Sequence, residues 1–330
     1  TWLITGVAGF IGSHLARRLL ADGHRVVGMD NFCDFYDPAV KRERAAELAQ
    51  HDMFEAHEAD IRDRDATRRI FQAARPTRVA HIAAMAGVRP SIEDPALYTS
   101  VNLDGTVSVL DAALNAGTVK TFCFASSSSV YGNNQKVPFA EDDAVDHPIS
   151  PYAATKRAGE LICHTYSHLH GLPIACLRFF TVYGPEQRPD LAIAKFMRLI
   201  SENKPIPMFG NGSMSRDFTF IDDIVEGIRQ AAHRVGGLAA DGSPVSPFRV
   251  WNLGGSRPVS VNELIEAIGE VADVNPQLEE LPEQPGDVKR TWADTTRIER
   301  ELGYRPLVGL HDGLRRQWEA WQAHKARSAR

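Results

Sequence analysis

The sequence predicts an α/β protein in which a doubly wound parallel sheet is followed by a smaller C-terminal α/β lobe. Three observations carry this. Short apolar runs alternate with amphipathic stretches through the first half, a glycine-rich turn joins the first run to the first helical pattern, and the rhythm breaks after residue 180, where Pro and Gly cluster. The 330 residues are 43% hydrophobic and 24% charged, with 37 basic against 42 acidic side chains and a net charge of −5. That balance lacks the clustered basic surface a nucleic-acid binder needs. No run of 18 apolar residues and no charged-then-apolar leader occurs, so no membrane partner is expected. The four cysteines (Cys33, Cys123, Cys163, Cys176) have no CxxC spacing and sit in or near apolar segments. They read as reduced, mostly buried thiols, and a cytoplasmic location is expected.

Each element follows from its local pattern. Trp2 to Thr5, Arg25 to Asp30, Met53 to Asp60, Arg78 to Ala84, Val119 to Ser126 and Pro173 to Phe179 read as buried strands. Helical patterns at Ile11 to Ala21, Asp65 to Ala74, Leu97 to Ala116 and Tyr152 to Leu169 lie between or beside them, which makes βαβ units. A helix at Ile221 to Val235 and a strand at Arg249 to Leu253 are expected to rejoin the main sheet. The first domain is therefore placed at 1–180 with 217–255 returning to it, and the second domain at 181–330. Val261 to Val271 and Leu310 to Ala323 belong to that smaller lobe, and 236–248 reads as a flexible surface loop.

Between the first strand and helix stands Thr5-Gly6-Val7-Ala8-Gly9-Phe10-Ile11-Gly12. In such a Rossmann turn Gly6 permits the tight bend, Gly9 lets backbone approach a pyrophosphate, and Gly12 lets the helix close in. The N–H groups at the helix start, around Phe10 and Ile11, then face the phosphates. Asp30, followed by Asn31, ends the second strand, where a carboxylate accepts the hydroxyls of an adenosine ribose and repels a 2′-phosphate, so NAD is favoured over NADP. Asp60 and Ile61 end the third strand, where the aspartate either meets the adenine edge or is simply solvated. Ala83-Ala84-Met85-Ala86-Gly87 follows the fourth strand, and the small residues there let the chain pass beside the cofactor.

Tyr152 and Lys156 fall one helical turn apart on one face. A lysine cation near a phenol favours phenolate, lowering the tyrosine towards the working range of a general base. The strand ending in Ser126-Ser127-Ser128-Ser129 delivers hydroxyls to the crevice where ligands bind in open α/β sheets. Serine, tyrosine and lysine around a nicotinamide form a hydride-transfer apparatus.

These residues resemble the extended short-chain dehydrogenase/reductase family from Thr1 to about Leu307. The match rests on the glycine turn, Asp30-Asn31, the serine cluster, Tyr152-x-x-x-Lys156, Arg216-Asp217-Phe218 and Asp222-Asp223. The resemblance implies an N-terminal Rossmann domain holding NAD and a C-terminal sugar-nucleotide domain. It implies Ser127 as catalytic hydroxyl, Tyr152 as base, and Lys156 as the residue holding the nicotinamide ribose. Within that family, Ala86 to Ser91 (with Arg89), Arg178 to Pro185 with Arg188-Pro189-Asp190, and Gln284 to Val288 look like the enzymes that epimerise UDP-glucuronate to UDP-galacturonate. A uronate carboxylate needs hydroxyl donors and a cation, which Ser128, Ser129, Thr181 and Arg188 can supply. Arg216 is then implied at the UDP pyrophosphate and Asp287 at the uridine ribose, with Gln284 where many UDP-galactose epimerases carry arginine.

The implied reaction passes through a 4-keto intermediate. Related decarboxylases typically carry glutamate where Ser129 stands, and hexose 4,6-dehydratases an Asp-Glu pair at Ser128 and Ser129. The alternatives are decarboxylation of UDP-glucuronate, 4-epimerisation of UDP-glucose and UDP-galactose, and a non-catalytic NAD-binding regulator. His164, His168 and His170 lack the companions of a metal site, His81 reads as a core histidine, and no metal is expected. The resemblance also implies a homodimer through the helices at 97–116 and 152–169.

Overall fold

The computed structural model describes residues 1–255, 257–282 and 289–328. Its main sheet has seven strands: β1 (Trp2–Thr5), β2 (Val26–Asp30), β3 (Phe54–Glu58), β4 (Arg78–His81), β5 (Thr121–Ser127), β6 (Ile174–Phe179) and β10 (Phe248–Leu253). Their order is β3-β2-β1-β4-β5-β6-β10, and all neighbours run parallel. The order reverses between β1 and β4, so the crevice beyond their carboxyl ends is the switch point where such sheets take ligands.

Alternation along the strands sorts the core into two layers. Trp2, Ile4, Ala80, Cys123, Ala125 and Leu177 face one side with α1 (Phe10–Ala21) and α9 (Ile221–Arg234). Leu3, Val79, Phe122, Phe124, Ile174 and Cys176 face the other, with α3 (Arg64–Ala74), α6 (Gly105–Ala116) and α7 (Pro151–His170). Because both faces are covered, the inner strands are mostly apolar, whereas β3 at the sheet edge, expected as a buried strand, reads Phe-Glu-Ala-His-Glu and is only partly buried. The stretch expected as one helix at 97–116 is a continuous helical run of three parts. These are α5 (Pro95–Thr99), a π turn at Ser100–Asp104, and α6. The sequence reading passed over α2 (Pro38–Leu48), a polar helix whose start is set by Asp37, which accepts from the Ala39 N–H, and by Pro38 at the first helical position.

The smaller lobe holds β7 (Thr181–Tyr183), β9 (Ser215–Phe220) and β11 (Pro258–Ser260) in one sheet, and β8 (Ile206–Phe209) beside β12 (Leu278–Leu281) in another. The helices α8 (Ala192–Ser201), α10 (Val261–Ala272) and α12 (Leu310–Ser328) pack with them. Within 217–255, β9 pairs with β7 and β11, whereas α9 packs on β5 and β6 and β10 pairs with β6. The loop at 236–247 is pinned by an antiparallel bridge between Leu238 and Pro244 and by buried Ala239 and Val245. Asp217 accepts from the N–H groups of Gly255 and Ala293, and Asp223 from those of Leu307 and Val308. These two aspartates bind the lobe's chain crossings together. No helix among the described residues is long and apolar enough to cross a membrane.

Candidate active site

A cavity of about 490 Å³ opens at the switch point. Gly6, Gly9, Phe10, Ile11, Asp30, Asn31, Ile61, Ala83, Ala84, Ser127, Ser128, Ser129, Tyr152, Thr181 and Arg188 all line it. Gly6 has a φ of +71°, and a Cβ there would sit 2.8 Å from the Ala83 nitrogen. Behind the turn, α1 begins at Gly9 with no side-chain cap, leaving its first N–H groups available to an anion. Gly12 is outside the lining, but a Cβ on it would fall 2.1 Å from the Gly6 carbonyl oxygen. Asp30 is nearly buried at the end of β2, and its carboxylate accepts from the Ala8 N–H at 3.0 Å and the Phe32 N–H at 2.9 Å. Burial pushes that carboxyl upward, opposed by these two N–H groups and by the Lys41 charge.

The reactive end is built by β5, α7 and their neighbours. Ser127 closes β5, and its hydroxyl oxygen accepts from the Ser129 N–H at 3.1 Å, folding Ser128–Tyr131 into a 3-10 turn. Beneath it, Ser126 donates to Glu160 at 2.6 Å, and Glu160 grips buried Arg178 at 2.8 and 2.9 Å. Ser150 caps α7 and Pro151 opens it, which sets Tyr152 in the first helical turn and Lys156 in the next. Lys156 donates to the Ala125 carbonyl at 2.8 Å, and burial lowers its ammonium to about 8. The Lys156 Nζ lies 5.9 Å from the centre of the Tyr152 ring.

Against the sequence expectation, the Tyr152 phenol is raised rather than lowered, because its burial outweighs the neighbours that favour ionisation. Those neighbours are the Ser127 hydroxyl and the Arg188 charge. The Tyr98 ring meets Tyr152 edge-on at 6.2 Å and donates its hydroxyl to the Ala86 carbonyl. Asn102, in the π turn, donates to the Met85 carbonyl and to Thr155 and accepts from the Met85 N–H. The loop after β4 and the helix of Tyr152 are thereby held by one side chain.

Other expected residues fall elsewhere. The strand β3 ends at Glu58, so Asp60 lies beyond it and does not line the cavity. Its carboxylate is held by Arg62 and Asn31, which lower it to about 2. Arg89 is exposed on α4 (Val88–Glu93) and lies over the Phe209 ring of the small lobe. Arg216 sits on β9 and donates to the Ser215 carbonyl, outside the lining. Asp287 and Gln284 lie outside the described residues. Cys33 is half-exposed rather than buried, and it lines the cavity beside Lys41, which donates to its carbonyl at 2.7 Å. His81 is a core residue between Thr5 and Thr106, and among the described residues no group of three or more His, Cys, Asp or Glu could hold a metal.

The stretch Ala83 to Gly87 lines the cavity as expected, whereas Phe35, Tyr36, Lys41, Val101 and Leu191 in the lining were not anticipated. The Asp37-Pro38 helix start was a readable signal for Lys41. The others are reached only through the folding of loops.

A switch-point crevice ending in a buried serine, tyrosine and lysine is the arrangement of the dinucleotide-dependent, extended short-chain dehydrogenase/reductase enzymes. The chain belongs to the GDP-mannose 4,6-dehydratase family of that class, whose sequence profile matches residues 3–317. It is 44% identical over 325 residues to a probable UDP-glucuronate 4-epimerase of Rhizobium meliloti, covering 96% of this chain and 95% of that one. It is 41% identical to a UDP-glucuronate 4-epimerase of Thermodesulfobacterium geofontis, covering 96% and 94%. Among solved structures it resembles the Bacillus cereus UDP-glucuronic acid 4-epimerase in complex with UDP-glucuronic acid and NAD. The TM-score is 0.88 at 34% identity, over 98% of this chain and 99% of that one.

Proposed function

We propose that the protein is an NAD-dependent epimerase that inverts C4 of UDP-glucuronate, giving UDP-galacturonate through a 4-keto intermediate. The observation that carries this is the chemistry of the cavity wall. Arg188 and the hydroxyls of Ser127, Ser128, Ser129 and Thr181 gather with Tyr152 at one end. Among the described lining residues Asp30 is the one carboxylate, and it stands three strands from β5, about 14 Å at ordinary strand spacing. A cation among hydroxyls suits a uronate carboxylate, and no acid stands at the Ser129 position.

The residues present fit NAD. The cradle against Gly6 would be filled by any Cβ, the uncapped start of α1 suits a pyrophosphate, and Asp30 suits the adenosine ribose. When bound, NAD supplies the transient hydride acceptor for C4. Tyr152 takes the proton of the 4-hydroxyl and later returns it, Ser127 orients that hydroxyl, and Lys156 holds the nicotinamide ribose. The 4-keto sugar is a β-keto acid, so its carboxylate must be kept from aligning the breaking carbon–carbon bond with the ketone. Arg188 with Ser128, Ser129 and Thr181 performs that restraint. Arg89, Arg216 and Asp287 are assigned to the UDP portion, and the position of Phe209 beside Arg89 supports placing it towards the small lobe.

We also place the protein in the cytoplasm as a homodimer. Its unpaired cysteines and the exposed Leu161 and Leu169 on α7, beside α6, favour this. Incubating purified protein with UDP-glucuronate and resolving products by mass spectrometry and NMR tests the reading. A product of unchanged mass with inverted 4-hydroxyl supports it. Loss of carbon dioxide identifies a decarboxylase instead, and no turnover with NAD supplied identifies a non-catalytic binder.

A further inference from the structure

Residues 184–191 join β7 to α8, and three successive side chains there point to three parts of the fold. Glu186 has a left-handed φ of 61°, which a residue other than glycine keeps only where its surroundings hold it. Its carboxylate pairs with Arg17 at 3.0 Å on α1 and with the Arg44 Nε at 2.9 Å on α2. The Glu186 carbonyl accepts from the Arg44 Nη2 at 2.6 Å. The Arg44 side chain is 6% exposed, and it also donates to the Tyr36 hydroxyl at 3.3 Å and to the Ala8 carbonyl, in the glycine turn, at 3.4 Å. Gln187 turns into the small lobe, donating to the Val182 carbonyl and accepting from the Ala194 N–H and from Gln317. Arg188 enters the cavity, paired with Asp190 at 3.0 and 2.6 Å and lying 4.9 Å over the Phe35 ring.

Arg44 therefore touches the turn, the loop after β2 and the segment carrying Arg188. Removing the Glu186 side chain would leave the buried Arg44 guanidinium with neutral acceptors only and its Nε without a partner, so either Arg44 or the loop must move. Arg188 is only two peptide units away, at 3.8 Å per Cα step. We propose that Arg44 and Glu186 are positioning residues that seat the Arg188 guanidinium, so that its grip on a substrate carboxylate depends on the ordered glycine turn. This deepens the functional reading above and rests on it.

The test is a double-mutant cycle read by calorimetric titration of the NAD-loaded protein with UDP-glucuronate and, separately, UDP-glucose. Glu186→Ala should weaken UDP-glucuronate about tenfold, as for loss of a well-aimed charged contact, and UDP-glucose by no more than about twofold. Added to Arg188→Ala, it should cost no more than about a further twofold, because the two act through one contact. Glu186→Gln, which keeps the side-chain volume, should show the same selectivity at reduced size and serves if the alanine variant does not fold. Equal losses for both sugars, or a Glu186→Ala effect undiminished in the Arg188→Ala background, overturns the proposal. A wild-type protein whose preference for UDP-glucuronate is absent, or is untouched by Arg188→Ala, overturns the functional reading and the proposal with it.

Discussion

Substituting Gly12 by alanine tests the architecture of the dinucleotide crevice most directly. The added Cβ would stand 2.1 Å from the Gly6 oxygen and 2.9 Å from both the Gly6 carbonyl carbon and the Val7 Cα. All three are backbone atoms, so no side chain can rotate out of the way. Restoring ordinary contact requires a separation of about 1.4 Å between α1 and the turn, given van der Waals contact near 3.5 Å. The turn cannot supply it. The Gly6 N–H donates to the Met29 carbonyl at 2.7 Å, and its open face already lies against Ala83. The helix start must therefore swing outward, carrying the anion-facing N–H groups with it. Overpacking of this kind costs about 1–3 kcal/mol, which lowers the melting temperature by about 2–4 °C per kcal/mol in a domain of this size. Differential scanning calorimetry and an NAD titration by fluorescence quenching measure both effects. A Gly12→Ala protein with unchanged melting temperature and unchanged NAD affinity would refute this packing argument.

Three other outcomes are expected. Tyr152→Phe should lower turnover of UDP-glucuronate at least about 100-fold, as for loss of a general base, while retaining NAD; near-normal kcat would remove Tyr152 from the chemistry. Glu160→Ala strands the buried Arg178 guanidinium, whose side chain is 2% exposed, and should cost about 3–5 kcal/mol in urea unfolding; a loss below 1 kcal/mol would contradict this. His81 is neutral in the fold. Thr106 spends its proton on the Asn102 carbonyl, so His81 donates through Nε2 and accepts from Thr5 at Nδ1. Burial lowers this imidazole from 6.5 to about 3, so the unfolded chain takes up the proton first. Stability should therefore fall as pH drops from 6.5 towards 3, by at most about 1.4 kcal/mol per pH unit from this group. His81→Gln should flatten that slope in urea unfolding across pH 4–7; an unchanged slope would show that other groups set it.

Much of the site was legible because it depends on local rules. The glycine turn, Asp30 at a strand end and Tyr152 one helical turn from Lys156 are short-range patterns whose geometry follows from φ, ψ and the helical repeat. The readings that moved were those needing a partner from elsewhere. Asp60 looked available for a ligand until Arg62, two residues on, and Asn31, across the sheet, occupied it. The Tyr152 phenol is raised, despite a nearby lysine, by burial that no spacing rule reports. The helix carrying Lys41 and Arg44 was passed over because its polar face gave no apolar periodicity, although Asp37 and Pro38 marked its start.

The sequence by itself determined the fold class, the switch-point crevice and the chemical types gathered there, since strand alternation, helix starts and glycine turns are decided within a few residues. Only the tertiary structure decided which of those groups share one cavity. It brought Arg188 onto Phe35 and beside Tyr152, left Arg89 and Arg216 outside the lining, and tied Glu186 to Arg44 across 142 positions. Charge pairing and burial are set by neighbours in space, and those neighbours come from packing two lobes whose segments are far apart in the chain.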